Sequence, residues 1–231
     1  MPRKYADRVD AEAQPAREQS PEKRWWLRTL AVFQAPRPVF AALRDESPRE
    51  VEARQEPILA VVVLAGISAV LLAPETGKLL DESLVDSSLA VLSVLVFLTG
   101  AIYGFAAYWI GGALLYVGLR GAGSQGSYQR ARHILAFAAV PTVLGLVLVW
   151  PVRLLVYGTD SFRTGGDDTG LGPRLFDLAE GAFFLWSFGL LLYGIAVVER
   201  WRLLRAGVAV ALPVLAILIF TVAIVAPLSS R

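Results

Sequence analysis

The feature that most constrains this chain is a run of 33 residues, 87–119, that contains no charged side chain. A β-strand is usually roughly three to ten residues long, so the run is too long for a strand. As an α-helix, about 20 apolar residues are enough to cross the hydrocarbon core of a bilayer. Apolar residues make up 55% of the 231 positions and charged residues only 18%, which is typical of a membrane protein. The chain is therefore predicted to fold as helices within a membrane.

Five apolar runs reach or approach the length that a membrane span requires. They lie at residues 57–73, 87–119, 133–157, 176–198 and 204–227. The first has only 17 residues and either crosses the membrane or re-enters it, and the second must tilt, kink or begin as an interfacial helix. The predicted fold class is an all-α polytopic membrane protein, a bundle of five transmembrane helices preceded by interfacial helices.

The residues before the first span divide into two parts. Residues 1–24 carry mixed charges and almost no large apolar side chain, which predicts a disordered cytoplasmic tail. No apolar stretch of the signal-peptide kind follows closely, so we expect the N-terminus to be retained. Residues 25–56 hold two short segments that are apolar on one side and flanked by arginines, a pattern that favours the headgroup layer. There Trp25 and Trp26 either anchor the chain at the interface or pack against the protein's own loops.

The distribution of lysine and arginine predicts the orientation, because cytoplasmic loops are enriched in these residues. The counts are 11 before the first span, 1 in residues 74–86, 3 in 120–132, 2 in 158–175 and 3 in 199–205. The alternation places the N-terminus in the cytoplasm and the C-terminus outside. Lysine supplies only 3 of the 22 basic residues, which is typical of a GC-rich bacterial genome and favours the plasma (inner) membrane as the location.

The segment GAGSQG, residues 121–126, matches the G-x-G-x-x-G fingerprint of dinucleotide-binding loops. That fingerprint works between a short strand and a helix, with an acidic residue about 20 positions further on that binds the ribose. Here the long uncharged run precedes it, and no aspartate or glutamate lies between Asp86 and Asp160. The segment is therefore predicted to be a glycine-rich turn between the second and third spans, with Ser127 as the N-cap of the next helix.

Scarce residue types exclude several classes of function. The chain has no cysteine and a single histidine, which excludes disulfides, thiolate nucleophiles and cysteine- or histidine-rich metal centres. The spans contain no serine, histidine and acid set and no pair of catalytic carboxylates. We predict neither an enzyme nor a protein with a bound metal or cofactor, and we expect no nucleic-acid partner.

Three sequence segments resemble the Yip membrane family, named for Ypt-interacting proteins. They are QAPRPVFAAL before the first span, GSQGSYQRARHI leading into AFAAVP, and WSFGLLLYGIAVVERWRLLRAGVAVALP near the end. The similarity runs from about Leu30 to the C-terminus. It implies a five-span helical bundle with a cytosolic N-terminus and, for a bacterial member, a non-catalytic scaffold or adaptor. The Asp-Leu-Tyr-Gly-Pro signature of the eukaryotic members does not occur in this sequence, so their binding of Rab-type GTPases is not carried over.

Small residues recur along one predicted face of the second span. They are Gly100, Gly104, Ala107, Gly111 and Gly118, at spacings of three, four and seven. Because residues at these spacings share a helix face, another helix can approach closely there. The pattern predicts tight packing within the bundle or between two copies of the chain, with a flexible hinge as the alternative.

Three charged residues fall inside predicted spans at similar depth. Arg153 lies near the outer end of the third span, and Asp177 and Glu180 open the fourth span from the same side. Charges in a membrane are costly unless they are paired, so we predict an ion pair between Arg153 and Asp177 or Glu180. The alternative is a substrate or proton site.

Basic and aromatic residues gather at the predicted cytoplasmic ends of the spans. They are Arg130, Arg132 and His133 before the third span, and Arg200, Trp201, Arg202 and Arg205 between the fourth and fifth. Such residues anchor helices at the interface or attract anionic lipid headgroups. His133 is an interfacial anchor, a pH sensor or a contact of lipid phosphate.

Two function hypotheses follow from the sequence. The first is a non-catalytic scaffold or adaptor of the Yip type that binds membrane lipids, other membrane proteins or a second copy of itself, in membrane organisation or trafficking. The second is a small channel, transporter or lipid-moving protein, favoured by the intramembrane charges and by Pro141, Pro151 and Pro213 within the spans.

Overall fold

The computed structural model describes residues 21–72, 89–158, 161 and 170–215. Within these residues the chain is helical apart from short turns, and they contain no β-strand. The predicted all-α fold class is therefore confirmed. Most of the predicted tail, most of the two outer connections and the end of the fifth run lie outside the described residues.

Ten α-helices and one π-helical segment make up the described part of the chain. They are α1 (Pro21–Ala31), α2 (Pro36–Ala42), α3 (Pro48–Ala53), α4 (Gln55–Leu72), α5 (Leu89–Ala106), the π segment (Ala107–Gly111), α6 (Gly112–Gly121), α7 (Tyr128–Ala138), α8 (Val140–Tyr157), α9 (Leu171–Glu199) and α10 (Leu203–Leu215). Prolines stand in the first turn of α2, α3 and α8, where the missing N–H would have no helical partner.

Four helical stretches are long and apolar enough to cross a membrane. They are Pro48–Leu72, Ser93–Gly121, Tyr128–Tyr157 and Leu171–Glu199, and α10 is a shorter apolar helix. The first stretch has 25 residues, longer than the apolar run that sequence identified, because α3 and the polar first turn of α4 extend it. The protein is thus a multi-pass membrane protein. The predicted fifth span is described only as far as Leu215.

The closest helix pair is α4 with α5, and glycine makes that approach possible. Gly66 of α4 faces Gly100 and Gly104 of α5 across the contact. A Cβ atom added at Gly100 would lie 2.6 Å from the Ile67 Cα, and one added at Gly104 would lie 3.3 Å from the Gly66 Cα. Backbones at this separation exclude any side chain, which is the packing that a G-x-x-x-G pair permits in membranes.

The π segment divides the second span into two halves with different neighbours. A π turn holds one more residue than an α turn and therefore rotates the faces of the helix that follows it. Gly100 and Gly104, before the turn, contact α4, whereas Gly118, after it, contacts the Ala209 carbonyl of α10. Ala107 is exposed. Gly111 lies near the Leu135 side chain of α7, so the small residues do not form one continuous packing face.

Helices α1–α3, residues 21–53, form a layer across one end of the bundle, which we call the N-terminal layer. Phe40 of α2 is fully buried and lies against Gly194 of α9, where a Cβ would approach the Phe40 ring to 2.5 Å. Trp25 of α1 is fully buried and packs on Phe137 of α7, with 5.5 Å between the ring centroids. The hydrophobic core of the protein therefore continues from the bundle into this layer.

Candidate functional site

Polar contacts tie the N-terminal layer to the turns at the same end of the bundle. The Arg44 guanidinium donates from Nε to the Val198 carbonyl over 3.0 Å and from Nη2 to the Val197 carbonyl. Glu46 accepts from Arg130 over 2.8 Å and also from the Ser127 hydroxyl. The turn between α6 and α7 and the last turn of α9 thus both contact residues that precede the first span. We call this end of the bundle the N-terminal face.

The glycine-rich segment closes the turn between α6 and α7. Ser127 caps α7 by accepting the Arg130 amide over 3.1 Å, so the predicted N-cap is confirmed. Gly123 has φ +92°, a conformation that favours glycine. The Ser124 hydroxyl donates to Glu199 over 2.8 Å, and Arg205 donates to the Ala122 carbonyl over 3.0 Å from Nε. The loop therefore binds the turn between α9 and α10.

The paired tryptophans have opposite environments. Trp25 is 0% exposed, and its indole N–H donates to Glu50 over 2.9 Å. Trp26 is 41% exposed. Of the two alternatives that sequence left open, the geometry favours internal packing for Trp25, whereas Trp26 is accessible to the headgroup layer.

Arg132 on α7 stands within a cluster of three aromatic rings. Its guanidinium carbon lies 3.8 Å from the centroid of Trp109, 4.6 Å from Tyr128 and 5.1 Å from Tyr108. The Tyr128 hydroxyl donates to the Trp109 carbonyl over 2.7 Å, which ties the π segment to α7. The rings stabilise the cation through their negative faces and leave its N–H groups for other partners.

A cavity of about 420 Å³ opens beside this cation, between α4, the π segment and α7. Its wall is apolar along Ile58, Leu59, Val62 and Phe105, and polar or aromatic elsewhere. The remaining lining residues are Gln55, Glu56, Tyr108, Trp109, Gln129, Arg132 and His133. We call this the basic-aromatic cavity.

Two further basic residues belong to the surroundings of the cavity. His133 is 3% exposed, and its Nδ1 has no hydrogen-bond partner among the described residues. Arg54 is 0% exposed, and within the same part of the chain none of its guanidinium nitrogens has a hydrogen-bond partner. Arg54 and Arg132 both act electrostatically on His133. Glu46, Asp45 and Glu50 act on Arg54 at longer range. Positive charge and unused donors are therefore concentrated here.

The intramembrane charges lie at the opposite end of the bundle. The Arg153 guanidinium donates to Asp177 over 2.9 Å, so α8 and α9 are joined by an ion pair there. Glu180 is 3% exposed, and its electrostatic neighbours are Arg153, Asp177 and the Trp150 indole. These residues form one polar group.

The remaining basic residues follow the end of α9. Arg200 adopts the left-handed conformation, with φ 57°, and the Trp201 amide donates to the Ala196 carbonyl over 2.9 Å, which ends the helix. Arg205 stacks on Trp201 with 4.1 Å between the guanidinium carbon and the ring centroid. Arg202 is exposed. This turn lies on the N-terminal face with Arg130 but does not line the cavity.

Sequence reasoning missed several residues that the structure brings to prominence. Arg44 and Arg54 occur in a segment rich in arginine, where no pattern separates a buried cation from an exposed one. Tyr108 belongs to the π segment, whose extra residue has no recognisable sequence signal. Gly66 is a single glycine in an apolar run, and its role depends on a partner glycine that is distant in sequence. Among the described residues, no group of three or more histidine, aspartate or glutamate side chains could hold a metal ion.

The comparison with known protein families agrees with this architecture. The sequence profile of the Yip1 domain matches residues 30–225, which is most of the chain. The chain has no significant match among curated proteins or among solved structures. The matched region includes α2, every helix of the bundle and both connections on the N-terminal face. This all-helical, multi-pass membrane protein therefore belongs to the Yip1 domain family.

Proposed function

We propose that this protein is a non-catalytic scaffold or adaptor of the plasma (inner) membrane, with its N-terminal face in the cytoplasm, that binds other membrane proteins. The observation that carries the proposal is the N-terminal layer itself. Its helices are fixed to the bundle by a buried core and by hydrogen bonds from Arg44 and Arg130, so they present a defined surface. A surface of fixed shape suits recognition of a partner.

The outward side of this layer offers both charge and apolar contact. Arg37 and Arg49 are exposed, and α1 exposes Trp26, Leu27 and Leu30 on one side. The apolar side of α1 suits the headgroup layer, as expected for an interfacial helix. Arg37 on α2 and Arg49 on α3 are exposed and therefore accessible to an acidic partner surface.

The experiment compares matched charge reversals at the two ends of the bundle. The full chain is captured from its native membrane in nanodiscs, and co-purifying proteins are quantified by mass spectrometry. A stoichiometric partner should be lost from the Arg37→Glu, Arg49→Glu double variant and retained by Arg174→Glu, because Arg174 is exposed near the start of α9, at the opposite end. Equal recovery of every protein from both variants would contradict the adaptor role.

A channel, transporter or lipid-moving protein is the second candidate. The observation that favours it is the buried polar group around Arg153 and Glu180, because intramembrane charges often mark a pathway. Arg153→Ala separates the two functions. Loss of a flux into liposomes with unchanged thermal stability would support transport, and lower stability with no change of flux would support a structural ion pair.

A further inference from the structure

The basic-aromatic cavity has two walls of different chemistry that meet at a single opening. Leu59 and Phe105 on the apolar wall are exposed at the surface of their helices, as is Trp109 at the rim. These side chains belong to stretches that are apolar and long enough to cross a membrane, so the opening faces the bilayer laterally. Arg132 and His133 line the other wall. A ligand that fits both walls has an apolar part directed into the bilayer and a polar part directed inward.

The polar wall has donors without acceptors. Within the described part of the chain, Arg132 Nε and His133 Nδ1 have no hydrogen-bond partner, and the buried Arg54, which acts electrostatically on His133, has three nitrogens without one. A buried donor that loses water without gaining a partner costs free energy, and a buried cation costs more. Two guanidinium groups with buried, unpartnered nitrogens, Arg132 on α7 and Arg54 in the turn between α3 and α4, therefore predict an acceptor that carries negative charge.

The charge balance favours an anion over a neutral acceptor. The cavity lining contains one carboxylate, Glu56, and one guanidinium, Arg132, whereas the carboxylates that act on the neighbouring Arg54 do not line the cavity; they are Asp45, Glu46 and Glu50. Glu56 is exposed, and within the described part of the chain it forms no hydrogen bond or ion pair. The ring cluster holds Arg132 from its faces and leaves the guanidinium edge, where two N–H groups can meet two oxygens of one ligand.

We propose that the basic-aromatic cavity binds the phosphate group of an anionic membrane lipid, with Arg132 as the principal ligand-binding residue. The phosphate accepts from Arg132 and from His133 in its Nδ1–H tautomer. The acyl chains leave through the lateral opening along Leu59 and Phe105. A cavity of about 420 Å³ is within the range of roughly 300–1,000 Å³ that small-ligand sites occupy, and a headgroup needs only the polar part of it.

A lipid explains the cavity better than free phosphate does. Free phosphate would satisfy the donors but would leave the apolar wall without a partner. The π segment supports the assignment, because such segments often occur at functional sites and this one supplies Tyr108 and Trp109 to the cavity.

The lipid site deepens the proposed function, because it names the class of lipid that the protein would bind in the membrane. It rests on the protein acting within the membrane. The adaptor experiment measures protein partners, so the two can fail separately.

The test uses the purified full chain in nanodiscs. In phosphatidylcholine discs doped with phosphatidylglycerol, native mass spectrometry should show retained phosphatidylglycerol on the wild type, and thermal unfolding should shift upward relative to undoped discs. Arg132→Gln should weaken retention about tenfold, as expected for loss of a charge-assisted hydrogen bond. Arg174→Gln removes the same charge from an exposed position at the opposite end of the bundle and should leave retention unchanged. Equal retention by the two variants would overturn the proposal.

Two additional arms keep the result interpretable. Leu59→Trp narrows the opening without removing a charge, so it should also lower the retention of phosphatidylglycerol. This variant tests the cavity independently if Arg132→Gln folds poorly. Unchanged retention in a folded Leu59→Trp protein would contradict entry through this opening. Inorganic phosphate added to undoped discs separates the sources of the phosphate group. A phosphate-induced shift in thermal unfolding that phosphatidylglycerol does not exceed would identify soluble phosphate as the ligand and overturn the assignment to a lipid.

Discussion

Arg44 makes the contact with the longest sequence separation among the polar contacts of the N-terminal face. It donates to the carbonyls of Val197 and Val198 in the last turn of α9. Carbonyls in the last turn receive no hydrogen bond from an amide of their own helix. A cation at this position also interacts favourably with the helix dipole. A single side chain therefore both satisfies two of the last carbonyls of α9 and fixes the N-terminal layer to that helix.

We expect Arg44→Met to lower the free energy of unfolding by about 1.5–3 kcal/mol, the usual contribution of hydrogen bonds to a charged group. Thermal unfolding in detergent measures the change. Arg37→Met is the control, because Arg37 is exposed on the neighbouring helix and should change stability by less than about 0.5 kcal/mol. Equal effects of the two substitutions would show that the α9 contact contributes nothing.

The tryptophan pair gives a second matched comparison. Trp25→Ala should lower the free energy of unfolding by about 3–5 kcal/mol, because it leaves a cavity against Phe137 and removes one of the hydrogen-bond partners of Glu50. Trp26→Ala should have a much smaller effect on unfolding in detergent, since Trp26 is exposed. A larger loss from Trp26→Ala would mean that α1 packs through its other side.

At the scale of single residues, the sequence predicted local features better than distant ones. The Ser127 cap follows from a serine placed before a helix and was predictable from its neighbours alone. The environments of Trp25 and Arg54 depend on α3, α4 and α7, which converge only in the folded protein. Residues of the same type a few positions apart, such as Trp25 and Trp26, therefore differ in burial, and no local sequence pattern distinguishes them.

At the scale of helices, the α4–α5 contact depends on the absence of side chains. Gly104→Ala should destabilise the protein, because the added methyl would meet the backbone around Val62. Gly189→Ala on α9 is the matched control, since no atom outside its own helix turn lies within 4 Å of its added Cβ. It should be neutral or stabilising by up to about 1 kcal/mol, the usual difference in helix propensity. Thermal unfolding of both variants decides the question, and a neutral Gly104→Ala would contradict close α4–α5 packing.

The positions of the membrane-spanning helices were predictable from sequence, but the π segment inside one of them was not. Apolar runs indicated the spans because hydrocarbon requires every backbone group to be paired within a helix. The π segment was not predictable, because AYWIG, residues 107–111, has no feature that distinguishes it from continuous α-helix. From this segment onward the small residues nevertheless meet α7 and α10 instead of α4, and Trp109 within it lies against Arg132.

At the scale of the whole molecule, orientation is the prediction with the most direct test. The chain has no cysteine, so each introduced cysteine is a unique label site. Arg37→Cys and Gln125→Cys, both exposed on the N-terminal face, should react only with reagent supplied from the cytoplasm. Arg174→Cys should react only from outside. Labelling of Arg37→Cys and Arg174→Cys from the same side would contradict the proposed topology.

The N-terminal layer also determines the order in which the protein can assemble. Its buried surface, centred on Trp25, Phe40 and Leu43, closes against α7 and α9. Arg44 contacts the carbonyl of Val198, which follows it by 154 positions in the chain. During synthesis this surface leaves the ribosome before α7 and α9, so its docking site is complete only after α9 has been inserted. The N-terminal layer must therefore wait for later helices before it reaches its final place.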